Sequence, residues 1–547
     1  MIVAEAVGST LARLGVDHVF GVVGSGNFHV TNALMAGGAR FVAARHEGGA
    51  ATMADAYARM SSTVAALSVH QGCGLTNAMT GITEAAKSRT PLVVLAAEVG
   101  QPLSNFYVDQ PALAEAVGAV PRRIVSADTC VADTVDAFAT ALQQRRTVLL
   151  NLPLDVQALD VPADRGPDTA VAPEAPAPAV PSDADLRALV EALERSERPV
   201  FVAGRGARGP GSRVALEQLA ERCGAVLATS AVAKGLFHGS PWSLDVSGGF
   251  ATPLAADTIR GADLIVGWGC ALNMWTMRHG HLIAPDATVV QVDVEADRIG
   301  AQRPVTLGVV GDVRATASAA SAALAGARTG YRSDGLRDRI AAEGRWRDVP
   351  YDDTGADGLI DPRTLTIALD DLLPAERVVG VDSGNFMGYP SMFLSVPDEW
   401  GFCFTQAFQS IGLGLATTIG AALAQPGRLP VAALGDGGCL MSVAELETVA
   451  RLGLPMVVVV YDDEAYGAEV HHFAPGGFPL QTVQFPPTDI AAIARGFGFE
   501  AITARTADDL APVRQWLEGG PSAPLLIDAK VTRDRGSWWL EEAFRGH

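Results

Sequence analysis

Residues 435–467, GDGGCLMSVAELETVARLGLPMVVVVYDDEAYG, constrain the fold of this chain more than any other stretch. Residues 431–434 are a short apolar run suited to a buried strand, and Gly435-Asp436-Gly437-Gly438 supplies a tight turn after it. Leu440, Val443, Leu446 and Val449 then recur at helical spacing. Residues 456–460 form a second β-branched run, and Tyr461-Asp462-Asp463 follows. Strand, glycine turn, helix and strand make a parallel βαβ unit, whose two strands end at one edge of a sheet. Asp436 and Asp463, 27 positions apart, are therefore expected side by side at that edge. The glycines let backbone N–H groups approach a phosphate at the helix N-terminus, and the two carboxylates suit a hard divalent cation beside it. The unit reads as a site for a metal–diphosphate.

A chain of 547 residues is too long for one core, and three domains are expected. With 48% hydrophobic and 19% charged residues and 58 glycines, the composition is ordinary for an α/β enzyme. The net charge of −20 argues against nucleic acid or an anionic membrane as a partner. The 6 cysteines are scattered with no CxxC pair, which gives no zinc or iron–sulfur signal and points to a reduced, cytoplasmic protein. The first residues lack the basic start and apolar run of a signal peptide, and no stretch of about 18 uncharged apolar residues suggests a membrane span.

Residues 1–160 alternate helix and strand in an α/β layered pattern. Strands are expected at 18–23, 41–44, 63–69, 91–97 and 147–152. The first three run into glycine turns, namely Gly24-Ser25-Gly26-Asn27, Arg45-His46-Glu47-Gly48-Gly49 and His70-Gln71-Gly72-Cys73-Gly74. Six prolines in residues 161–182 mark an extended linker. A central Rossmann-like domain is expected over 183–327, with strands at 199–204, 264–269 and 288–292. Residues 328–357, charged and less periodic, read as a second linker. A third domain, 358–547, holds a strand at 378–381 ending in Asp382-Ser383-Gly384-Asn385, a small-residue helix at 412–423, the opening unit and a last strand at 524–530. The aromatic tail GSWWLEEAFRGH suits a lid or packing on a neighbour. The fold class is α/β, three doubly wound parallel-sheet domains, with no close internal repeat in sequence.

GDG, about thirty residues and then a paired Asn/Asp sequence resembles the cofactor motif of thiamine diphosphate (ThDP) enzymes. The resemblance is closest to the 2-oxo acid decarboxylase and acetohydroxyacid (acetolactate) synthase group, and it covers essentially the whole chain. It implies a pyrimidine-binding, a central and a diphosphate-binding domain. It makes Asp436 and Asp463 side-chain ligands of Mg2+, with Ala465 giving a backbone carbonyl. Gly435, Gly437, Gly438 and Tyr466 would lie along the diphosphate, with Gly384 and Asn385 at its other edge. Asp463 stands where the family usually has Asn. The extra carboxylate strengthens the hold on a divalent metal and repels the diphosphate. Glu47, in RHEGGAATMADAYAR, resembles the cofactor-activating glutamate, whose carboxyl shifts the aminopyrimidine to its imino tautomer. Ile411 matches the large apolar residue under the bent cofactor, and Gln409 replaces the usual glycine two residues earlier, so a different local turn is expected there. In the family Glu47 and the metal site come from different subunits. A homodimer is implied at minimum, and a homotetramer is expected.

Ser25 and His70, in GVVGSGNF and SVHQGCGLTNAM, resemble pocket residues of benzoylformate decarboxylases, with His70 placed to relay protons. A histidine that merely caps a glycine turn is the plain alternative. Glu469 falls where pyruvate decarboxylases have a catalytic glutamate; His471 and His472 follow it. Asn273, Trp275, Arg278, His279 and His281 are candidates to reach the site from the central domain. The glycines of residues 204–211 and Arg278 could suit FAD, which is less favoured than an empty, structural domain. The expected function is ylid attack on a small-molecule 2-oxo acid and decarboxylation, followed by carboligation as in acetolactate synthases. The alternatives are a non-ligating decarboxylase similar to benzoylformate decarboxylases, a non-catalytic subunit of this fold, or a flavin-binding oxidase.

Overall fold

Apolar β-branched runs joined by helices fold here into three parallel sheets, because helical crossovers cover both faces of the central strands. The computed structural model describes residues 1–543. The first sheet contains β1 (His18–Gly21), β2 (Arg40–Ala43), β3 (Ala65–Val69), β4 (Leu92–Glu98), β5 (Val120–Arg123) and β6 (Thr147–Pro153). The second contains β7 (Pro199–Ala203), β8 (Val226–Thr229), β9 (Ser243–Val246), β10 (Leu264–Trp268), β11 (Thr288–Asp293) and β12 (Leu307–Val310). The third contains β13 (Arg377–Val381), β14 (Phe402–Phe404), β15 (Leu429–Gly435), β16 (Val457–Asp462), β17 (Glu500–Ala504) and β18 (Leu525–Lys530).

The first sheet runs β2-β1-β3-β4-β6-β5 and the third runs β14-β13-β15-β16-β18-β17, which is the same order. A sequence without a close repeat thus folds twice into one topology. In such a sheet the strand order reverses between the first and third strands, and ligands bind in the crevice beyond their carboxyl ends. In the third sheet that crevice lies between Val381 and Gly435, which pair through their strands with β13 and β15 in register. In the first it lies beyond Gly21 and Val69, whose strands are paired as β1 and β3. Ser25 and His70 follow one pair of strand ends; Gly384, Asn385 and Asp436 follow the other.

The first and third sheets share one continuous core, in which Phe20, Met53 and Leu67 join Leu415, Ile419 and Val458. The helix Glu47–Ser61 packs on the helix Gly414–Ala424 so closely that a methyl group on Gly420 would overlap the Met53 carbonyl. The small-residue pattern of the second helix is what permits this approach. Buried Glu84 accepts the backbone N–H groups of Ala407 (3.0 Å) and Phe408 (2.6 Å), and buried Glu445 accepts those of Arg45 (3.1 Å) and His46 (3.0 Å).

Two expectations are corrected, and the tail takes one of its two expected places. Residues 328–357 contain the helix Asp334–Glu343, which packs Ile340 and Leu336 on the second sheet's core, so this stretch is not a plain linker. The single helix expected over 440–449 is two, Asp436–Met441 and Glu445–Leu452. The Ser442 hydroxyl bonds back to the Gly438 carbonyl at 2.9 Å at the break, which frees Glu445 to reach the 45–46 turn. The tail folds back within its own chain as the helix Trp538–Ala543; residues 544–547 of it lie outside the described residues.

Candidate active site

At the third crevice, Asp382 is the hub. It is fully buried and accepts the backbone N–H groups of Ser383 (2.8 Å), Gly412 (3.0 Å) and Leu413 (3.2 Å). A methyl group on Gly438 would overlap its Oδ2. One carboxylate therefore fixes the 382–385 turn, the 409–413 turn and the GDG turn against each other. Burial pushes Asp382 up to about 6 in spite of these donors. Ile411 sits in the middle turn, half-buried, with Gly412 against Met441. Gln409 has φ +62°, the left-handed region that glycine adopts freely. The expected loss of a glycine-type turn there does not occur; the glutamine takes that conformation at a cost of about 1–2 kcal/mol.

Asp436 lies immediately after β15 and is 7% exposed; Asp463 lies immediately after β16. Burial pushes Asp436 up to about 8, with Asp463 and then Asp462 adding repulsion. Burial likewise pushes Asp463 up to about 7, with Asp462 adding to it and the Ala465 N–H opposing it. Two carboxylates at adjacent strand ends, close enough to repel each other, are an arrangement that suits a divalent ion. Among the described residues no group of three or more His, Cys, Asp or Glu side chains could hold a metal alone, so further ligands must be backbone carbonyls or the diphosphate itself. Ala465 lies in a short ladder with Gln484, and Tyr466 N–H bonds Val483 O at 2.9 Å. A methyl group on Gly437 would crowd the Tyr466 ring, and one on Gly435 would press on Phe386. Asp436, Gly437, Leu440, Met441, Tyr466 and Phe485 line an open cavity of about 370 Å³.

The tail closes the far edge. Ser537 N–H donates to Asn385 Oδ1 (2.8 Å) and Trp539 Nε1–H to Asn385 O (3.0 Å). The donor end of the Asn385 amide thereby faces away from Ser537, and its Cβ borders Gly467 and Asp463. Trp538 lies 5.3 Å from the Arg278 guanidinium and Trp539 is edge-on to Phe250, so the tail also grips the second sheet's domain.

At the first crevice, Asn77 Nδ2 donates to Glu47 Oε2 at 3.1 Å. Glu47 opens its helix, with His46 Nδ1 accepting the Gly48 N–H at 3.0 Å. His70 Nδ1 lies 3.1 Å from the Gln71 carbonyl and must be the donor, because a carbonyl can only accept. In the neutral ring Nε2 is then the acceptor, and Ser25 Oγ lies 3.4 Å from it. The Phe106 ring stands 5.5 Å from His70.

The structure brings Ser25 to His70 and Asp436 to Asp463. It does not bring the two groups together within one chain, since no residue of 1–160 lines the cavity at Asp436. Glu469 is half-buried on the helix Gly467–Phe473. Half-buried His471 beside it is covered by Gly536 of the tail. The loop of residues 270–281 turns inward: Arg278 is buried and donates to Gly248 O (2.9 Å) and Ala251 O (3.0 Å). The crevice of the second sheet, between β7 and β10, is packed backbone to backbone, with Gly206 N–H on Gly269 O at 3.0 Å. FAD thus gains no support from this domain. The role of Asp382 as a buried hub, the partners Asn77 and Phe106, and the tail contacts to Asn385 could not be read from the sequence. Asp382 had a signal as the start of the 382–385 turn, and Asn77 as the amide in the HxxxGxxNAM match.

Three family models match: the N-terminal TPP binding domain of thiamine pyrophosphate enzymes over residues 1–117, the central domain over 186–320 and the C-terminal TPP binding domain over 382–529. The chain is 28% identical to an acetolactate synthase large subunit of Parasynechococcus marenigrum, over 97% of this chain and 87% of that one. It is 29% identical to a probable 2-ketoarginine decarboxylase of Pseudomonas aeruginosa, over 92% of this chain and 90% of that one. A solved thiamine diphosphate-dependent 4-hydroxybenzoylformate decarboxylase of Rhodococcus jostii superposes with a TM-score of 0.82 at 22% identity, covering 98% of this chain and 100% of that one, which is a likeness of fold.

Proposed function

The chain belongs to the thiamine pyrophosphate enzymes, and on that premise we propose a ThDP- and Mg2+-dependent enzyme that decarboxylates a 2-oxo acid and passes the acyl carbanion equivalent to a second carbonyl. The two carboxylates Asp436, buried, and Asp463, half-buried, at the carboxyl ends of the adjacent parallel strands β15 and β16 carry the reading. With the glycine turn before them they fit a metal–diphosphate: Asp436, Asp463 and the Ala465 carbonyl would hold Mg2+, and Gly435, Gly437, Gly438, Tyr466, Gly384 and Asn385 would border the diphosphate. ThDP, when bound, supplies a nucleophilic carbon that adds to the 2-oxo acid carbonyl and stabilises the charge left by loss of CO2.

The chain's own residues do the rest. Glu47, held by Asn77, holds the proton at the cofactor's ring nitrogen. Ile411 and the Gln409 backbone orient the cofactor. Ser25 orients His70, whose tautomer leaves Nε2, beside the Ser25 hydroxyl, as the acceptor, so His70 takes up a proton before it can give one. Glu469 is a second proton carrier on the diphosphate side. Because Glu47 and Asp436 belong to separate half-sites, the working unit is a homodimer or a homotetramer built from two such dimers.

Full-length similarity to synthases supports carboligation. The Ser25–His70 contact favours a second reading, a decarboxylase that ends in protonation. Holoenzyme incubated with a panel of 2-oxo acids, with products identified by mass, separates them. Coupled hydroxy ketones or hydroxy acids are expected; aldehyde alone establishes the second reading, and no CO2 release from any 2-oxo acid overturns both.

A further inference from the structure

We propose that the carboxylate of Asp463 lets this chain take up its divalent cation before the diphosphate arrives, so that cation and cofactor bind in that order. The inference rests on the reading of Asp436 and Asp463 as metal ligands. Four acidic residues crowd the ends of β15 and β16, but two of them are already committed. Asp462, 3% exposed, is paired with Lys530, which also reaches Asp528 at 3.0 Å and donates to Thr488 O at 3.1 Å. Glu464 is paired with Arg533 at 3.0 Å. Asp436 and Asp463 make no ion pair among the described residues. Asp436 and Asp463 are thus the two carboxylates at these strand ends left for a dication, while Lys530, shared between Asp462 and Asp528, offsets one of their two charges.

A neutral amide at position 463 would give an oxygen without charge. A dication held by one carboxylate keeps half its charge unmet until a diphosphate adds, and metal and cofactor then bind only together. With two carboxylates the protein meets that charge alone. Asp463 is also set in place beforehand. A methyl group on Gly467 would overlap its Oδ2, and the neighbouring Glu464 has φ +56°, a left-handed turn in the loop that carries Asp463. Little ordering remains to be done when the ion enters. The cost falls on the cofactor, whose diphosphate meets a charge-balanced centre in place of a positive one.

Full-length protein freed of cofactor and metal by dialysis against chelator is titrated with Mn2+ alone, by calorimetry and by loss of the free-ion electron paramagnetic resonance signal, and then with ThDP at saturating Mn2+. Wild type is expected to bind one Mn2+ per chain without ThDP. Asp463→Asn is expected to bind it at least about tenfold more weakly, with ThDP affinity at saturating Mn2+ equal or higher. Wild type that takes no Mn2+ until ThDP is added overturns the order and leaves the metal–diphosphate site standing. ThDP affinity that is the same with chelator overturns both. The wild-type titration decides the order even if the variant does not fold.

Discussion

Glu47 and Asp382 show two uses of a carboxylate on one scaffold. Glu47 touches Asn77 and little else that could bind it, which leaves it free for a ligand. Glu47→Gln keeps its size and its hydrogen bond, so fold and ThDP binding are expected to persist while kcat falls by about 10²–10⁴-fold. Circular dichroism, ThDP titration and steady-state rates check this, and near wild-type turnover would sink the proton-holding role. Asp382 is spent on backbone donors. In Asp382→Asn the amide must point an N–H at one of the turns it now holds, and a loss of about 2–4 kcal/mol in urea unfolding is expected. The pH dependence has a definite sign. Unfolded, the group titrates at about 3.9; folded, it is pushed up to about 6. The native state holds the extra proton between those values. The stability this gives is complete below about pH 4 and is lost as pH rises toward 6. The variant lacks that decline, which unfolding curves at pH 4, 5 and 6 would reveal. The GDG carboxylate was legible because its spacing to Asp463 is fixed by one βαβ unit. Asp382 was not, because its partners lie thirty residues further along the chain.

At the scale of elements, the crossings of strand ends and turns place the chemistry. The helices Glu47–Ser61 and Gly414–Ala424 were legible from small-residue patterns, and their contact follows from the same residues. The break at 442–444 was not legible, since apolar spacing runs straight through it. It comes with the Ser442 hydroxyl bonding back to Gly438 O and leaves Glu445 to reach the 45–46 turn. The tail was an aromatic segment without an address. Its two hydrogen bonds to Asn385 now give it one. Deleting residues 536–547 is expected to weaken ThDP binding by about tenfold, the loss of two hydrogen bonds to one turn. Trp539→Ala should show a smaller loss in the same direction. Fluorescence titration of each protein with ThDP at saturating Mg2+ tests this, and an unchanged Kd would confine the tail to packing.

At the scale of the molecule, two crevices of identical topology each carry half of a site, and apolar side chains stand bare around both. Leu103 is 99% exposed near Phe106 on the first, and Met441 is 55% exposed beside Asp436 on the second. In the proposed dimer the opposite half of a second copy would cover each and complete two sites. Glu47→Gln and Asp436→Ala chains are each expected to be inactive. Mixed after reversible dissociation, they should regain about a quarter of wild-type activity, because half the dimers are mixed and each holds one intact site. No recovery, with mixed dimers demonstrated by differential tagging, would place Glu47 and Asp436 in the same chain's site. Among the described residues no helix is long and apolar enough to cross a membrane, and all 6 cysteines are free.

The sequence alone determined the local chemistry. Strand runs, glycine turns, the 27-residue spacing of Asp436 and Asp463 and the Glu47 turn are encoded within short windows, where sterics and periodicity act directly. Only the tertiary structure decided which carboxylates remain uncommitted. Lys530 neutralises Asp462, Arg533 holds Glu464 and three turns claim Asp382, all through contacts distant in sequence. Electrostatic commitment depends on distance in space and on burial, and neither is written in the order of residues.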